Sequence, residues 1–100
     1  MKSKIKVAVL RGGPSSEYEV SLKTGAGVLA NLPEKYEGID VLIDKEGVWH
    51  IGGTPIKPEK LHLRAQVAFL ALHGEYGEDE KKKKFFETHN FPFTGSKSLA

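Results

Sequence analysis

The sequence predicts an α/β fold with a mostly parallel sheet flanked by helices, and three observations support this prediction. Two short runs, Ile5–Leu10 and Val67–Leu72, are apolar almost throughout, which is typical of strands that a parallel sheet buries on both faces. Segments with helical spacing alternate with the strands along the chain. The length of 100 residues, of which 39% are hydrophobic, allows one domain with one core and a shallow cleft.

The first predicted strand, Ile5–Leu10, ends at Gly12-Gly13-Pro14, which interrupts both helices and strands. A helix is expected from Ser15 to about Asn31, and Ser16 with Glu19 has the S-x-x-E spacing of a capping box at its start. Apolar residues recur at helical spacing through this segment. They are Val20, Leu22, Ala26, Val28, Leu29 and Leu32.

The middle of the chain predicts a β-hairpin followed by a loop. Gly38–Asp44 reads as a second strand, Lys45–Gly47 as a turn and Val48–Ile51 as a short third strand. The segment Gly52–Lys60 contains two glycines and two prolines, and these residues favour a loop without regular structure.

The last third of the chain predicts one further strand–helix–strand unit. Val67–Leu72 is the most apolar run, and a glycine-rich loop, His73–Asp79, follows it. A helix then runs to about residue 89 or 90, and Phe91–Thr94 forms a short last strand. Ser96–Ala100 has the composition of the beginning of another helix.

Composition and charge exclude several classes of function. The chain has no cysteine, which excludes disulfides, thiolate metal sites and cysteine nucleophiles and is compatible with a reducing cytoplasm. Four of the 15 basic residues form the single run Lys81–Lys84, and removing those four charges from the net +2 leaves −2. A nucleic-acid-binding surface is therefore not expected. No apolar stretch approaches the roughly 20 residues that span a bilayer, nor is there an export signal, so we expect no membrane partner and a cytoplasmic location.

Two loops are expected at the edge of the sheet where ligands bind. In open α/β sheets this edge lies outside the carboxyl ends of the strands. Arg11–Glu17 follows the first strand and His73–Asp79 follows Val67–Leu72, and most of the unusual polar residues lie in these two loops. The sequence therefore predicts that function resides there.

The first loop admits three interpretations. A glycine turn that leads into a helix N-terminus is typical of phosphate sites, but the loop matches no nucleotide-binding motif, and the Glu17 carboxylate would repel a phosphate. The same carboxylate suits a cation such as a substrate ammonium. In the third interpretation Ser16 only caps the helix and Glu17 complements its dipole, which is worth about 0.3–1 kcal/mol.

The second loop also leaves alternatives open. His73 can donate a hydrogen bond to a substrate carboxylate and titrates near neutral pH, and Glu78 and Asp79 are able to orient it or to cap the next helix. One histidine and several carboxylates have metal-ligand chemistry, yet their spacing matches no metal motif. A purely structural loop is the third alternative. The other histidines, His50, His62 and His89, show no partner pattern and are expected at the surface.

Together the two loops resemble a known family far more closely than either does alone. The segment from Lys6 to Leu22, KVAVLRGGPSSEYEVSL, is similar to the N-terminal signature of D-alanine–D-alanine ligases, an apolar strand followed by GG-x-S-x-E-x-E-V-S. Phe69–Asp79 resembles the A-L-H-G-x-x-G-E-D segment of that family, and Phe91–Ser96 its P-Y-T-G-S. The three blocks follow in the family's order, so the resemblance covers essentially the whole chain.

The resemblance implies a fold and an activity. Residues 1–100 would form the Rossmann-like domain that precedes an ATP-grasp, and the ATP-grasp domains themselves would lie outside this chain. The family uses ATP and Mg²⁺ (or Mn²⁺) to join two D-alanines for peptidoglycan, through an acylphosphate of the first D-alanine. This chain alone is expected to hold neither ATP nor metal and to be inactive. Its implied partners are D-alanine, the remaining domains of the same protein and a second copy, since the family commonly dimerises through this domain.

The resemblance also implies the site residues. Glu17 matches the acid that holds the ammonium of the first D-alanine, and His73 matches the histidine that contacts its carboxylate and the acylphosphate. Glu78 matches the acid that supports this network, so Glu17, His73 and Glu78 are the implied catalytic residues. Val20 and Ser21 match positions that line the substrate pocket. An acid beside an ammonium and an imidazole beside a carboxylate is the pairing that a free amino acid requires.

The chain departs from the family pattern after Asp79, where Lys81–Lys84 replaces the usual glycine, apolar residue and glutamine. A charge run of this kind is typical of a solvated helix face. The alternatives are an acidic partner or membrane surface, and a segment altered relative to a working ligase. Two other functions compete with the ligase hypothesis. One is a non-catalytic Rossmann-like module that binds a nucleotide or small molecule, and the other is the domain of a D-alanine–D-lactate ligase.

Overall fold

The computed structural model describes residues 3–72 and 78–95, and of residues 78 and 79 it describes the helical backbone only. Six strands, two α-helices and one 3₁₀-helix follow one another along these residues. In chain order they are β1 (Ile5–Gly12), α1 (Tyr18–Ala30), β2 (Tyr36–Ile43), β3 (Trp49–Ile51), β4 (Thr54–Ile56), the 3₁₀-helix Pro58–Leu63, β5 (Val67–Leu70), α2 (Glu78–Thr88) and β6 (Phe93–Gly95).

The six strands form one sheet in the order β4-β3-β2-β1-β5-β6. Strands β2, β1, β5 and β6 pair in parallel, whereas β3 and β4 extend the sheet as antiparallel strands. The predicted α/β fold with a mostly parallel sheet is confirmed. The central strand is β1, whose carboxyl end therefore lies between those of β2 and β5.

The two faces of the sheet bury different sets of side chains, because alternate residues of a strand point to opposite faces. One face, called the α2 face below, packs against α2 and the 3₁₀-helix. Its fully buried residues include Leu10, Ile43, Leu70 and Phe86. The other face, called the α1 face, packs against α1 with a smaller apolar cluster around Val9. Most of the apolar core therefore lies on the α2 face.

The α2 face is filled by aromatic rings. Phe86 of α2 is fully buried, and its ring lies 5.3 Å from that of Phe91, 6.0 Å from that of Phe93 and 6.1 Å from that of Trp49. Ring centroids at these separations are in the range of favourable aromatic pairs. The contact joins α2 to β3 and to the segment that enters β6.

Close approach of α1 to β1 depends on Gly25, a residue that lowers the intrinsic helix propensity of this segment. A Cβ atom at Gly25 would lie 2.6 Å from the Cβ of Arg11, which is closer than real side chains pack. At Gly27, two residues later, a Cβ would meet nothing within 4 Å. Gly25 is thus needed for packing, and Gly27 is not.

The predicted capping box is wrong. The helix begins at Tyr18, with Glu17 as its N-cap residue and no hydrogen bond from a capping side chain. A turn takes up the residues before it, in which the Tyr18 N–H donates to the Ser15 carbonyl at 3.2 Å and the Glu17 N–H donates to Ser15 Oγ at 2.9 Å. Because Ser15 closes this turn, the helix starts later than the predicted residue 15 and Ser16 does not occupy the N-cap.

The predicted loop over Gly52–Lys60 is also wrong, since it contains β4 and the start of the 3₁₀-helix. Gly52 and Gly53 both have positive φ, 59° and 82°, as the two central residues of a tight hairpin turn require. Pro55 is tolerated because β4 is the edge strand of the sheet. Pro58 opens the 3₁₀-helix at a position where its missing N–H costs nothing.

The remaining predicted elements are confirmed with shifted ends. The antiparallel hairpin of β2 and β3 is present, the strand predicted at Val67–Leu72 ends at Leu70, and the last strand lies at Phe93–Gly95 rather than Phe91–Thr94. The predictions for residues 73–77 and for 96–100 lie outside the described residues. Within the described part of the chain, no helix is both long and apolar enough to cross a membrane.

Candidate functional site

The ends of β1, β2 and β5 meet at one edge of the sheet. Gly12, the last residue of β1, lies in register with Ile43, the last residue of β2, and Leu10 lies in register with Leu70 of β5. The Ala71 N–H continues this pairing by donating to the Leu10 carbonyl at 2.9 Å. The chain segments that lead into both predicted functional loops therefore leave the sheet side by side.

A glycine pair turns the chain from β1 towards α1. Gly12 and Gly13 have φ values of +96° and +97°, a region that residues with a side chain rarely adopt. A Cβ at Gly12 would lie 2.3 Å from the Ile43 carbonyl oxygen, and the Gly13 N–H donates to that same oxygen at 2.8 Å. This turn thus requires both glycines and ties the end of β1 to the end of β2.

The turn delivers Glu17 to the amino end of α1. Glu17 is exposed and is the N-cap residue of the helix. The partial positive charge of a helix N-terminus favours a carboxylate at this position. This geometry is compatible with both roles considered for Glu17. The carboxylate lies where it complements the helix dipole, and its exposure leaves it accessible to a cationic ligand.

Val20 and Ser21, the other residues of α1 predicted at the site, differ sharply in exposure. Val20 lies three residues after Glu17 on the same side of the helix and is 46% exposed. Ser21 is 0% exposed. Its hydroxyl accepts a hydrogen bond from the Gly12 N–H at 2.8 Å and donates one to the Ala71 carbonyl at 2.6 Å. Ser21 therefore contacts the ends of both strands that carry the predicted loops.

Tyr18 and Lys45 were not singled out from the sequence, yet they lie at the same edge. The Tyr18 ring packs beside Gly12, where its Cε1 atom would be 3.1 Å from a Cβ. The Lys45 Nζ atom, in the turn after β2, lies 5.2 Å from the centre of that ring, within the range of a cation–π contact. A lysine is thus placed against the first residue of α1.

The sequence analysis also missed an ion pair between β1 and β2, whose arginine bonds to α1 as well. Arg11 Nε and Nη2 donate to the two carboxylate oxygens of Asp40 at 2.9 and 2.7 Å, and its Nη1 donates to the Leu22 carbonyl at 2.9 Å. The hydrogen bond to Asp40 is the main cause of a raised Arg11 pKa. The two residues are 29 positions apart, so only their places on neighbouring parallel strands could have indicated the pair.

His50 has a partner, and the prediction of an unpaired surface histidine is wrong for it. Its Nε2 lies 3.1 Å from Asp44 Oδ2. Asp44 Oδ1 accepts the N–H groups of Glu46 and Val48, both at 2.9 Å. The hydrogen bond from Val48, followed by that from His50, lowers the Asp44 pKa. Both side chains border a depression of about 290 Å³ on the α1 face. His62 and His89 are exposed, as predicted.

The remaining predicted site residues are only partly described. His73 lies outside the described residues, and Glu78 begins α2, with its backbone in the helix. Among the described residues no group of three or more histidine, aspartate and glutamate side chains could hold a metal ion. Lys81–Lys84 lies on α2, where Lys83 Nζ is 3.7 Å from Glu80 Oε2.

A family model described as D-ala D-ala ligase N-terminus matches residues 6–61 of the chain. Two similar curated proteins are the D-alanine--D-alanine ligases of Aquifex aeolicus, 41% identical over 97 residues, and of Solibacter usitatus, 41% identical over 95. These matches cover 96% and 93% of this chain but only 30% and 29% of the two ligases. The chain thus spans less than a third of the length of these relatives.

Solved structures are similar in fold over nearly the whole chain. The D-alanine-D-alanine ligase of Coxiella burnetii superimposes with a TM-score of 0.78 at 27% identity, over 90% of this chain and 35% of its own. The VanG D-Ala:D-Ser ligase of Enterococcus faecalis gives 0.73 at 25%, over 91% and 35%. The ATP complex of the Bacillus anthracis ligase gives 0.65 at 31%, over 89% and 28%.

Proposed function

Because this chain belongs to the family of D-ala D-ala ligase N-termini, we propose that it is the substrate-binding part of an ATP-dependent ligase that joins two D-alanines for peptidoglycan. Residues 1–100 form the domain that binds the first D-alanine. The observation that carries the proposal is the glycine turn at the end of β1, which delivers the exposed carboxylate of Glu17 to the ligand-binding edge of the sheet.

The names of the similar proteins support a site for D-alanine in particular. The Coxiella burnetii protein is named for two D-alanines and the VanG protein for D-Ala and D-Ser. D-alanine is therefore the substrate that the two names share, and the second substrate is the one that varies. Because this chain matches both proteins, the proposal assigns to it the substrate that both names contain.

In this proposal Glu17 binds the ammonium of the first D-alanine. A carboxylate that accepts a charge-assisted hydrogen bond from an ammonium contributes about 1.5–3 kcal/mol to binding. Val20, three residues later on the same side of α1 and half-exposed, lines the pocket beside the substrate methyl group. Ser21 belongs to the same site but is fully buried, so it acts on the substrate only through the backbone to which it bonds.

His73 and Glu78 are assigned by their match to the family pattern. His73 contacts the D-alanine carboxylate and the acylphosphate formed from it, and Glu78 supports His73. The hypothesis gains physical support from β5, since the chain leaves this strand beside Gly12 and leads to His73 within two residues of Ala71. The two ends of a free amino acid would thus be held by groups from two adjacent strands.

ATP and Mg²⁺ (or Mn²⁺) bind in the remaining ATP-grasp domains of the protein and not in this part. When bound there, the nucleotide supplies the phosphoryl group that activates the first D-alanine. A homodimer formed through this domain, as the family pattern implies, is part of the same proposal.

The test is to restore an intact ligase around this chain. Residues 1–100 are fused to the Aquifex aeolicus ligase in place of its own matching segment, and this fusion is called the fused ligase below. Phosphate release and dipeptide formation are measured with ATP and D-alanine. We expect both products from the fused ligase and neither from the 100-residue chain alone.

Two outcomes would contradict the proposal. A fused ligase that folds and binds ATP, yet releases no phosphate when D-alanine is added, would show that this chain does not supply the substrate site. Phosphate release by the 100-residue chain alone would show that the remaining domains are not required. The competing small-molecule module predicts the first of these outcomes.

A further inference from the structure

Ser21 is the one fully buried polar side chain among residues 3–72 and 80–95, and the site as proposed above gives it no contact with substrate. Its hydroxyl nonetheless makes two hydrogen bonds, accepting one from the Gly12 N–H at 2.8 Å and donating one to the Ala71 carbonyl at 2.6 Å. Both of these backbone groups stand at the point where a strand ends. Ser21 thus connects α1, β1 and β5 through a single oxygen atom.

The two backbone groups are the ones that would otherwise bond to each other. In a parallel ladder, a residue that donates its N–H to one residue of the neighbouring strand accepts, at its own carbonyl, the N–H of the residue two positions further on. The Ala71 N–H donates to the Leu10 carbonyl at 2.9 Å. The next bond of the ladder would therefore join the Gly12 N–H to the Ala71 carbonyl.

Instead, each of these groups bonds to Ser21 Oγ, so that the hydroxyl is inserted into the ladder. A serine hydroxyl offers one donor and two acceptor positions on a short side chain, which is what a bridge between an N–H and a carbonyl requires. The regular pairing of β1 with β5 accordingly stops at Leu10 and Leu70. Beyond that point the two chains are held one hydroxyl apart.

We propose that Ser21 is a positioning residue whose inserted hydroxyl separates the carboxyl ends of β1 and β5 and so sets the spacing between the two halves of the substrate site. The segment after Gly12 leads to Glu17 and the segment after Ala71 leads to His73. The consequence for D-alanine rests on the proposed function, whereas the insertion itself does not. Binding groups must be held within about 0.5 Å of their productive geometry, so a change in this spacing weakens the binding of D-alanine.

The insertion is tested on the unaltered 100-residue chain. Scalar couplings across hydrogen bonds, measured by NMR on chain labelled with ¹⁵N and ¹³C, join an amide nitrogen to the carbonyl carbon that it is bonded to. We expect a coupling between Ala71 N and the Leu10 carbonyl carbon, which is the internal control, and none between Gly12 N and the Ala71 carbonyl carbon. A direct coupling between Gly12 and Ala71 would overturn the proposal.

The consequence is tested on the fused ligase with Ser21→Ala and, as a matched control, Ser3→Ala, which makes the same chemical change at an exposed residue before β1. Without the hydroxyl nothing separates the Gly12 N–H from the Ala71 carbonyl, so we expect the two groups to pair directly and the strand ends to move closer together. We expect the KM for D-alanine to rise on the order of tenfold or more, with the KM for ATP unchanged and Ser3→Ala indistinguishable from the parent.

Comparing the KM for D-alanine with the KM for ATP distinguishes a positioning role of Ser21 from a purely stabilising one. A purely structural role of Ser21 would lower the thermal midpoint and the amount of active enzyme while leaving the KM for D-alanine unchanged, and that result would refute the proposal. If Ser21→Ala fails to fold, the NMR measurement still decides. If the unaltered fused ligase shows no dependence on D-alanine, the proposed function fails and the couplings report on the insertion independently.

Discussion

The two faces of the sheet hold their helices by different means. On the α1 face the helix is held by two polar contacts and one close approach. These are the hydrogen bond from Arg11 to the Leu22 carbonyl, the Ser21 hydroxyl and the contact at Gly25. On the α2 face the attachment is apolar, with Phe86 buried among aromatic rings. Hydrogen bonds depend on specific atoms at fixed distances, whereas apolar packing depends mainly on volume.

This difference explains where the chain follows the ligase pattern and where it departs from it. The GG-x-S-x-E-x-E-V-S block supplies the residues of the α1 face whose identities the geometry fixes, among them Gly12 and Ser21. The run Lys81–Lys84 lies on α2, which the sheet holds through Phe86 and Phe85. The lysines therefore alter a helix whose fully buried contact with the sheet is made by Phe86.

The largest expected effect is on the α2 face. Phe86→Ala removes a fully buried ring, and such truncations cost about 3–5 kcal/mol of the free energy of unfolding. Urea denaturation of the 100-residue chain measures the loss, with Lys84→Ala in the same helix as the control. A loss below about 1 kcal/mol would mean that α2 is held by something other than this ring.

On the α1 face the largest effect should fall on binding rather than on stability. Glu17→Gln keeps the shape of the side chain and removes the charge, so we expect the KM of the fused ligase for D-alanine to rise about 10–100-fold, equivalent to a lost hydrogen bond to a charged group. The control is Glu19→Gln, in the first turn of the same helix. Unchanged or improved ligand binding in Glu17→Gln would favour a nucleotide-binding module instead.

Replacing each of the two glycines of α1 by alanine should change the stability of the chain in opposite directions. Gly25→Ala places a Cβ 2.6 Å from Arg11 Cβ, and we expect a net destabilisation of about 1–2 kcal/mol from overpacking, less the gain in helix propensity. Gly27→Ala meets nothing within 4 Å and should stabilise the chain by about 0.5–1 kcal/mol. Denaturant midpoints of the two variants measured together test the pair. Equal responses would show that α1 does not approach β1 as closely as described.

A smaller, pH-dependent effect is expected at Asp44. Its pKa is lowered from 3.8 by the Val48 N–H and by His50, so the folded state favours the carboxylate and gains stability above the unfolded pKa. That contribution is lost as the pH falls through the lowered pKa of the folded state. The stability difference between the parent and Asp44→Asn should therefore be present at pH 5–6 and diminish below about pH 4. A difference that grows on acidification would contradict the stated cause.

The smallest effect should come from the lysine run. Lys84→Gln alters an exposed residue of α2, and we expect a change within about 0.5 kcal/mol in stability and no change in the D-alanine KM of the fused ligase. Both are measured beside Phe86→Ala, two residues away. A large gain in ligase activity would identify the run as the feature that separates this chain from working ligases, and a large loss would show that Lys84 itself takes part in the activity.

The elements that local sequence patterns encode were predicted correctly, whereas contacts between residues far apart in the sequence were missed. Apolar runs identified β1 and β5, and the hairpin of β2 and β3 followed from its turn residues. The start of α1 was misplaced because Ser15 and Ser16 both have the chemistry of a cap, whereas the folded chain uses Ser15 in a preceding turn and begins the helix after Glu17. The Ser21 bridge joins groups 9 and 50 residues away, and no local pattern encodes such a contact.

The two-residue turn at Gly52-Gly53 also decides how the sheet ends. In a hairpin closed by two residues, Ile51 and Thr54 exchange hydrogen bonds, so that the main-chain groups of the next residue of β4, Pro55, face away from the sheet. A proline has no N–H to present there. Across its three residues β4 therefore presents no N–H donor to an approaching strand. The missing donor disfavours pairing of this edge with strands of other chains.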